Sequence, residues 1–169
     1  QAYPHYKSKF TVLPNGYDIS DVDGIKPYSY TKFTIVYTGK FRTSEAFRDP
    51  GPFFQALKMC CDLGYNIQFV HVGAIEKEVV KLAEQNGIGH LVNFIGPQLH
   101  SVALAYAKGA NVLLLIGGGQ KTEQTGKIFD YIACNRPILA LAPPDGEIAK
   151  VAKELPYARV LPNSDPKAI

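Results

Sequence analysis

Two short segments gather the residues best suited to gripping a phosphorylated ligand. Residues 120–127 read Gln-Lys-Thr-Glu-Gln-Thr-Gly-Lys, between an apolar run and a stretch of helical spacing. A helix start presents unpaired N–H groups and a partial positive charge, which suits a phosphate. Thr125 is placed to cap that helix, Gly126 lets a ligand approach the backbone, and Lys127 adds a cation. Asp130 follows one helical turn later. The helix dipole alone favours a carboxylate there, and an acceptor for vicinal ribose hydroxyls is the functional reading. The second segment, residues 40–50, carries Lys40, Arg42 and Arg48. A solvated loop is the plain alternative. The chemical one is that Arg42 or Arg48 neutralises a diphosphate through bidentate contacts.

Other chemistries lack their residues. The spacing from Gly119 to Gly126 is too long for GxxxxGK[ST], and Gly117 and Gly119 lack the third glycine of GxGxxG. His5, His71, His90 and His100, with Cys60, Cys61 and Cys134, form no zinc pattern. No GxSxG nucleophile turn occurs. His71 reads as a strand residue, and Tyr28, Tyr30 and Tyr37 as packing residues. Adjacent Cys60 and Cys61 would make a strained disulfide, so the cysteines are expected to be reduced thiols of a cytosolic protein, two of them packing in one helix.

The elements that must position these residues alternate. Strands are expected at 33–38, 67–72, 92–95, 111–116, 137–142 and 158–161. Helical spacing falls between them: Phe53, Phe54, Leu57, Cys60 and Cys61; Ile75, Val79, Leu82 and Ala83; Leu99, Val102, Ala103 and Tyr106; residues 126–134; and a helix with Ile148, Val151, Ala152 and Leu155, capped by Asp145. Such alternation means βαβ units: an α/β, Rossmann-like, doubly wound, mostly parallel sheet with helices on both faces. The runs 111–116 and 137–142 lack polar alternation, as strands covered on both sides do. Four strands end in glycine, at Gly39, Gly73, Gly96 and Gly117–Gly119, along the edge where such sheets bind ligands.

Residues 1–31 stand outside the alternation. They read as a short strand at 10–13, a turn at 14–16 and a linker, leaving 32–169 as the Rossmann-like domain. The chain has 169 residues and a net charge of +3, with Lys and Arg spread along it. That balance argues against a dedicated nucleic-acid binder. No apolar run reaches the length of a membrane span. The start at Gln1 and a helix-cap pattern at 163–169 suggest a piece of a longer protein.

The order of several motifs resembles the group 1 glycosyltransferases of the GT-B fold. Thr11-Val12-Leu13-Pro14-Asn15-Gly16-Tyr17-Asp18 is similar to the segment that closes their N-terminal domain. Ile35-Val36-Tyr37-Thr38-Gly39 looks like the first strand and glycine loop of the C-terminal, donor-binding domain. Arg48-Asp49-Pro50 with Phe53-Phe54-Gln55-Ala56-Leu57, Val92-Asn93-Phe94-Ile95-Gly96, and the run from Gly126 through Ala140 resemble later blocks. The resemblance implies a donor half that binds a nucleoside-diphosphate sugar for retaining transfer, as in polysaccharide biosynthesis. The acceptor would be held by an N-terminal domain that precedes Gln1.

Further site roles follow from the resemblance. Asp130 stands where the family has a ribose-binding Glu, one methylene longer. The family's other Glu, which touches the donor sugar, falls on Thr122, with the candidate Glu123 one residue off register. The backbone at Gly96 would lie near the base. Arg48 and Lys127, with Arg42 and backbone at Gly39 and Gly126, would meet the charge developing on the leaving diphosphate. No metal or other cofactor is expected. The resemblance also implies a cytoplasmic location, with any contact at the inner face of a membrane made by the acceptor half. The isolated chain is expected to be inactive in transfer. A non-catalytic nucleotide-binding or interaction module, and a sugar-nucleotide 2-epimerase of the same fold, are the alternatives.

Overall fold

A computed structural model describes residues 9, 11, 13, 15–41 and 48–169. Arg42, much of the strand read at 10–13, and Pro14 of the 14–16 turn fall outside these residues. Six strands form one sheet: β1 (Phe33–Thr38), β2 (Ile67–Val72), β3 (Val92–Phe94), β4 (Val112–Ile116), β5 (Ile138–Leu141) and β6 (Ala158–Leu161). Five helices connect them: α1 (Gly51–Asp62), α2 (Lys77–Gln85), α3 (His100–Gly109), α4 (Lys127–Cys134) and α5 (Glu147–Lys153). The order across the sheet is β3-β2-β1-β4-β5-β6, and every pair is parallel. The expected architecture is therefore present, with the sheet wholly rather than mostly parallel.

Strand alternation sorts the core into two layers. On one face Ile35, Tyr37, Phe69 and Ile116 meet Phe53, Phe54 and Leu57 of α1 and Val79 and Ala83 of α2. On the other, Val36, Val70, Leu113 and Leu115 meet Leu104 of α3, Ile128 and Tyr131 of α4, and Ile148 and Ala152 of α5. Residues of β4 and β5 alternate between the two layers, so both faces of these strands are covered, which explains their unbroken apolar runs.

Several local expectations change. Ile75 precedes α2 and is 49% exposed. Glu76 occupies the N-cap position of α2, so the buried stripe starts at Val79. Leu99 lies just before α3 and is 76% exposed, and Val102 is also exposed. Leu104 and Ala107 are the buried residues of α3, and Ala103 and Tyr106 of the expected face pack against the core beside them. Asp145 does not cap α5: Gly146 holds that position, and the Asp145 carboxylate pairs with Lys121. Thr125 makes no capping bond to α4, whose N-cap position is Gly126. Residues 163–169 form turns, with Asp165 accepting from the Lys167 and Ala168 amides, in place of a helix start. Cys60 and Cys61 lie in α1 but are only half-buried, and the three cysteines are free thiols.

The linker residues pack onto α3. Val22 is buried, its carbonyl accepts from Lys108 Nζ (2.9 Å), and the Tyr28 amide donates to the Ala105 carbonyl (2.9 Å). Tyr28 stacks on Tyr106 with ring centroids 4.5 Å apart. No helix of the described residues is long and apolar enough to cross a membrane.

The feature that shapes the upper edge of the sheet is the short contact between β1 and β4. β1 pairs with β2 over six residues but with β4 only at Ile35–Val112 and Val36–Leu113. Below these pairs, Asn111 tightens the join: its amide donates to the Thr34 carbonyl, and its Oδ1 accepts from the Thr34 amide. Above them, the Thr38 amide donates to the Tyr131 hydroxyl of α4 (3.0 Å), which lies 3.3 Å from Thr38 Oγ1. A side chain from a helix thus takes the backbone group that β4 leaves unpaired, as a buried amide requires. Tyr131→Phe removes that acceptor while keeping the ring. It is expected to lower unfolding free energy by about 1–3 kcal/mol, read from urea denaturation. An unchanged midpoint would show that Thr38 does not depend on this hydroxyl.

Candidate functional site

The parting of β1 from β4 lies where the strand order reverses, the position at which open parallel sheets form a crevice. A cleft of about 420 Å³ opens there and runs across the ends of β1 and β2. Thr38, Gly39, Val72 and Gly73 form its floor, Lys127 and Asp130 of α4 one wall, and Pro97, Gln98 and His100 the other.

The floor is close-packed backbone. The Gly39 amide donates to the Val72 carbonyl (2.8 Å), and the Gly73 amide to the Gly96 carbonyl (3.1 Å). Gly39 has φ +98°, which disfavours any side chain. At Gly73 a Cβ would lie 2.0 Å from the Gly39 carbonyl oxygen, so only glycine fits. His71 locks this turn from below. It is fully buried, and its Nε2 is 2.8 Å from the same Gly39 oxygen. A carbonyl only accepts, so Nε2 carries the proton. Nδ1 is buried with no partner, and the ring touches those of Phe41, Tyr37 and Phe94. Desolvation lowers the His71 pKa below 6.5.

Lys127 is the cleft cation supplied by α4. Its Nζ sits 3.7 Å over the centroid of the Tyr37 ring, whose hydroxyl donates to the Lys40 carbonyl (2.8 Å). A ring face attracts an ammonium, and Tyr37 is itself held by stacking on Phe41. Burial pushes the Lys127 pKa down to about 7, Arg48 adds to the depression, and Glu123, Asp130 and Glu76 oppose it. Asp130 Oδ1 faces His100 Nε2 at 3.4 Å.

The structure therefore brings Gly39, Lys127 and Asp130 into one cleft, with Gly96 one residue from its wall. Arg48 and Glu123 do not line this cleft, although both charges act on Lys127. Arg48 Nη2 pairs with Glu123 Oε1 at 2.6 Å, with both side chains 15% exposed, and the other Glu123 oxygen accepts from the Gly118 amide. Thr125 faces α5, in a hollow with Ile148 and Val151, away from Asp130. Gly126 is exposed at the start of α4, with nothing within 4 Å of where a Cβ would lie. Sequence reasoning missed His100, His71 and Tyr131 as parts of this corner. Lys40 also lines the cleft. Among the described residues no group of three His, Cys, Asp or Glu is placed to hold a metal ion.

No family model matches the sequence, and no curated protein matches it. Solved structures do. HepE of Anabaena, in complex with UDP and glucose, is 15% identical with a TM-score of 0.66 over 93% of this chain and 44% of its own. The C-terminal domain of a group 1 family glycosyl transferase (LpcC) from Francisella tularensis is 12% identical with a TM-score of 0.63 over 90% of this chain and 83% of its own. A putative UDP-N-acetylglucosamine 2-epimerase from Listeria monocytogenes is 14% identical with a TM-score of 0.57 over 90% of this chain and 36% of its own. The chain spans about two fifths of the full-length proteins it matches. It has the Rossmann-like α/β fold of one half of a GT-B protein, like the C-terminal domain of the group 1 glycosyltransferases.

The buried imidazole makes a prediction. His71→Leu removes the donor to Gly39 and is expected to lower stability by about 1–3 kcal/mol; His71→Gln, whose amide N–H can take the Nε2 position, recovers part of it. The folded pKa is lowered, so below 6.5 the unfolded chain binds the proton first and stability falls as pH falls. Urea midpoints at pH 7.5 and pH 5 should drop more for wild type than for His71→Gln. Equal drops would mean that this imidazole does not set the acid sensitivity.

Proposed function

We propose that this chain is the donor-binding half of a glycosyltransferase, with a nucleoside-diphosphate sugar as ligand. One observation carries the reading: a half-buried ammonium and a carboxylate, one turn apart on α4, share a glycine-floored cleft at the reversal of a parallel sheet. The likeness in fold to HepE, solved with UDP and glucose, supports it.

In this reading the ribose lies by Asp130 and the diphosphate by Lys127, Gly39 and the first turn of α4. Transfer breaks the bond between the anomeric carbon and the diphosphate oxygen, and negative charge grows on the leaving phosphate. Lys127 meets it from a site of low dielectric, where a fixed charge acts strongly and needs no reorganisation. Arg48 joins once a diphosphate draws it from Glu123, which frees that carboxylate for the donor sugar. The acceptor is held by another domain, and the sugar moves with retention of configuration and without a metal. The epimerase reading has the Listeria likeness in its favour. It uses the same nucleotide cleft and is separated by product: an epimerised sugar nucleotide rather than a free nucleoside diphosphate.

Nucleoside diphosphates at millimolar concentration are expected to raise the melting temperature, and Asp130→Ala or Lys127→Ala to reduce that shift. No shift with UDP, GDP or ADP would favour an interaction module.

Affinity should also depend on pH. Lys127 titrates at about 7 in the free protein, and an anionic ligand favours its charged form. UDP-glucose, a diphosphate diester with no proton to lose near neutrality, should bind most tightly below pH 7. It should weaken by up to about tenfold per pH unit above that. The same depression makes folding stability rise with pH between about 7 and 10.5, where the unfolded chain holds the proton that the folded one sheds. Lys127→Met should flatten the binding profile; a slope that survives in this variant would assign the proton to another group.

A further inference from the structure

His100 opens α3 and Asp130 lies in the first turn of α4, and the two side chains meet across the mouth of the cleft. Their facing atoms, Nε2 and Oδ1, are 3.4 Å apart. Neither is needed for the core. The side chains are 60% and 40% exposed, and α3 and α4 bury other residues, Leu104 and Ala107 on one and Ile128, Tyr131 and Cys134 on the other. A polar pair so exposed contributes little to stability. Its position in the cleft is what remains to be explained.

An ionised carboxylate only accepts hydrogen bonds, whereas an imidazole N–H donates them. A sugar hydroxyl does both. At a separation of 3.4 Å, one hydroxyl oxygen fits within hydrogen-bond distance of both side chains, donating to Asp130 Oδ1 and accepting from His100 Nε2. A two-sided grip of this kind reads the presence of the hydroxyl. A ligand lacking it leaves both polar groups facing a C–H, and sites built to bond a hydroxyl reject such analogues strongly.

The geometry points to His100 as a specificity residue: with Asp130 it holds a ribose hydroxyl and selects ribonucleoside over deoxyribonucleoside diphosphates. This rests on the nucleotide reading of the cleft given above. It also supplies what a short carboxylate lacks, since Asp130 reaches less far than a Glu would and His100 closes on the hydroxyl from the opposite wall.

The test is calorimetric titration of the 169-residue chain with UDP, GDP and ADP and with the 2′-deoxy and 3′-deoxy form of each. Wild type, His100→Ala, His100→Gln and Asp130→Ala are compared, and thermal melts confirm that each is folded. Wild type should prefer a ribonucleotide over one of its deoxy forms by about tenfold or more. His100→Ala should cut that preference by about fivefold while changing affinity for the deoxy form less than about twofold. His100→Gln, which still offers an N–H, should retain part of the preference. If His100→Ala leaves the preference intact, or weakens both forms equally, while Asp130→Ala still impairs binding, His100 is not a specificity residue and the nucleotide reading stands. If wild type binds none of these nucleotides, both readings fall.

Discussion

The parting of β1 and β4 is the constraint on which the functional corner depends. Two strands that stayed paired to their ends would leave no opening between them. Here the ladder stops at Val36–Leu113, and Thr38 is left with a buried amide that must find an acceptor. Tyr131 supplies it from the start of the second turn of α4. The same contact therefore ends the strand pairing and sets where α4 begins relative to β1. Lys127 and Asp130 precede Tyr131 on that helix by four residues and by one, so their positions follow from a hydrogen bond made to satisfy the backbone.

Electrostatics then act within this frame. A lysine ammonium out of water is costly unless something compensates for lost hydration. Lys127 has the face of Tyr37 beneath it and three carboxylates in its field, against one guanidinium. The balance leaves it near its titration point, able to gain a proton when an anion arrives. A surface lysine, already fully charged, would bring no such response. Burial likewise lowers the pKa of the neighbouring His71, which favours its neutral ring, and the Nε2–H of that ring ties down the glycine floor.

The framework was legible in the sequence because periodicity and glycine punctuation report burial and chain reversal directly. All six strands fall within one or two residues of their expected limits. Gly39, Lys127 and Asp130 were legible because they end a strand or open a helix, and topology carries such positions to one edge. Residues acting through a side chain from another element were not. Nothing local in His100 distinguishes it from any helix-start histidine, and Tyr131 reads as an apolar core residue of α4. Ile75 and Leu99 were misassigned to the α2 and α3 faces because they continue the apolar pattern past the helix start, where the chain has already left the core.

The ion pair between Arg48 and Glu123 joins the loop after β1 to the loop after β4, the two segments on either side of the parting. Glu123 spends one oxygen on the guanidinium and the other on the Gly118 amide, so it holds the glycine loop and the cation together. A pair this well enclosed is worth more intact than with one member removed, since the survivor would be left charged and unpartnered. Under the proposed function, a diphosphate beside Lys127 would offer the guanidinium a doubly charged alternative. Such an exchange would leave neither charge stranded: the guanidinium would keep an anionic partner, and the carboxylate the Gly118 amide. Glu123 thus serves the two loops first, through the Arg48 guanidinium and the Gly118 amide.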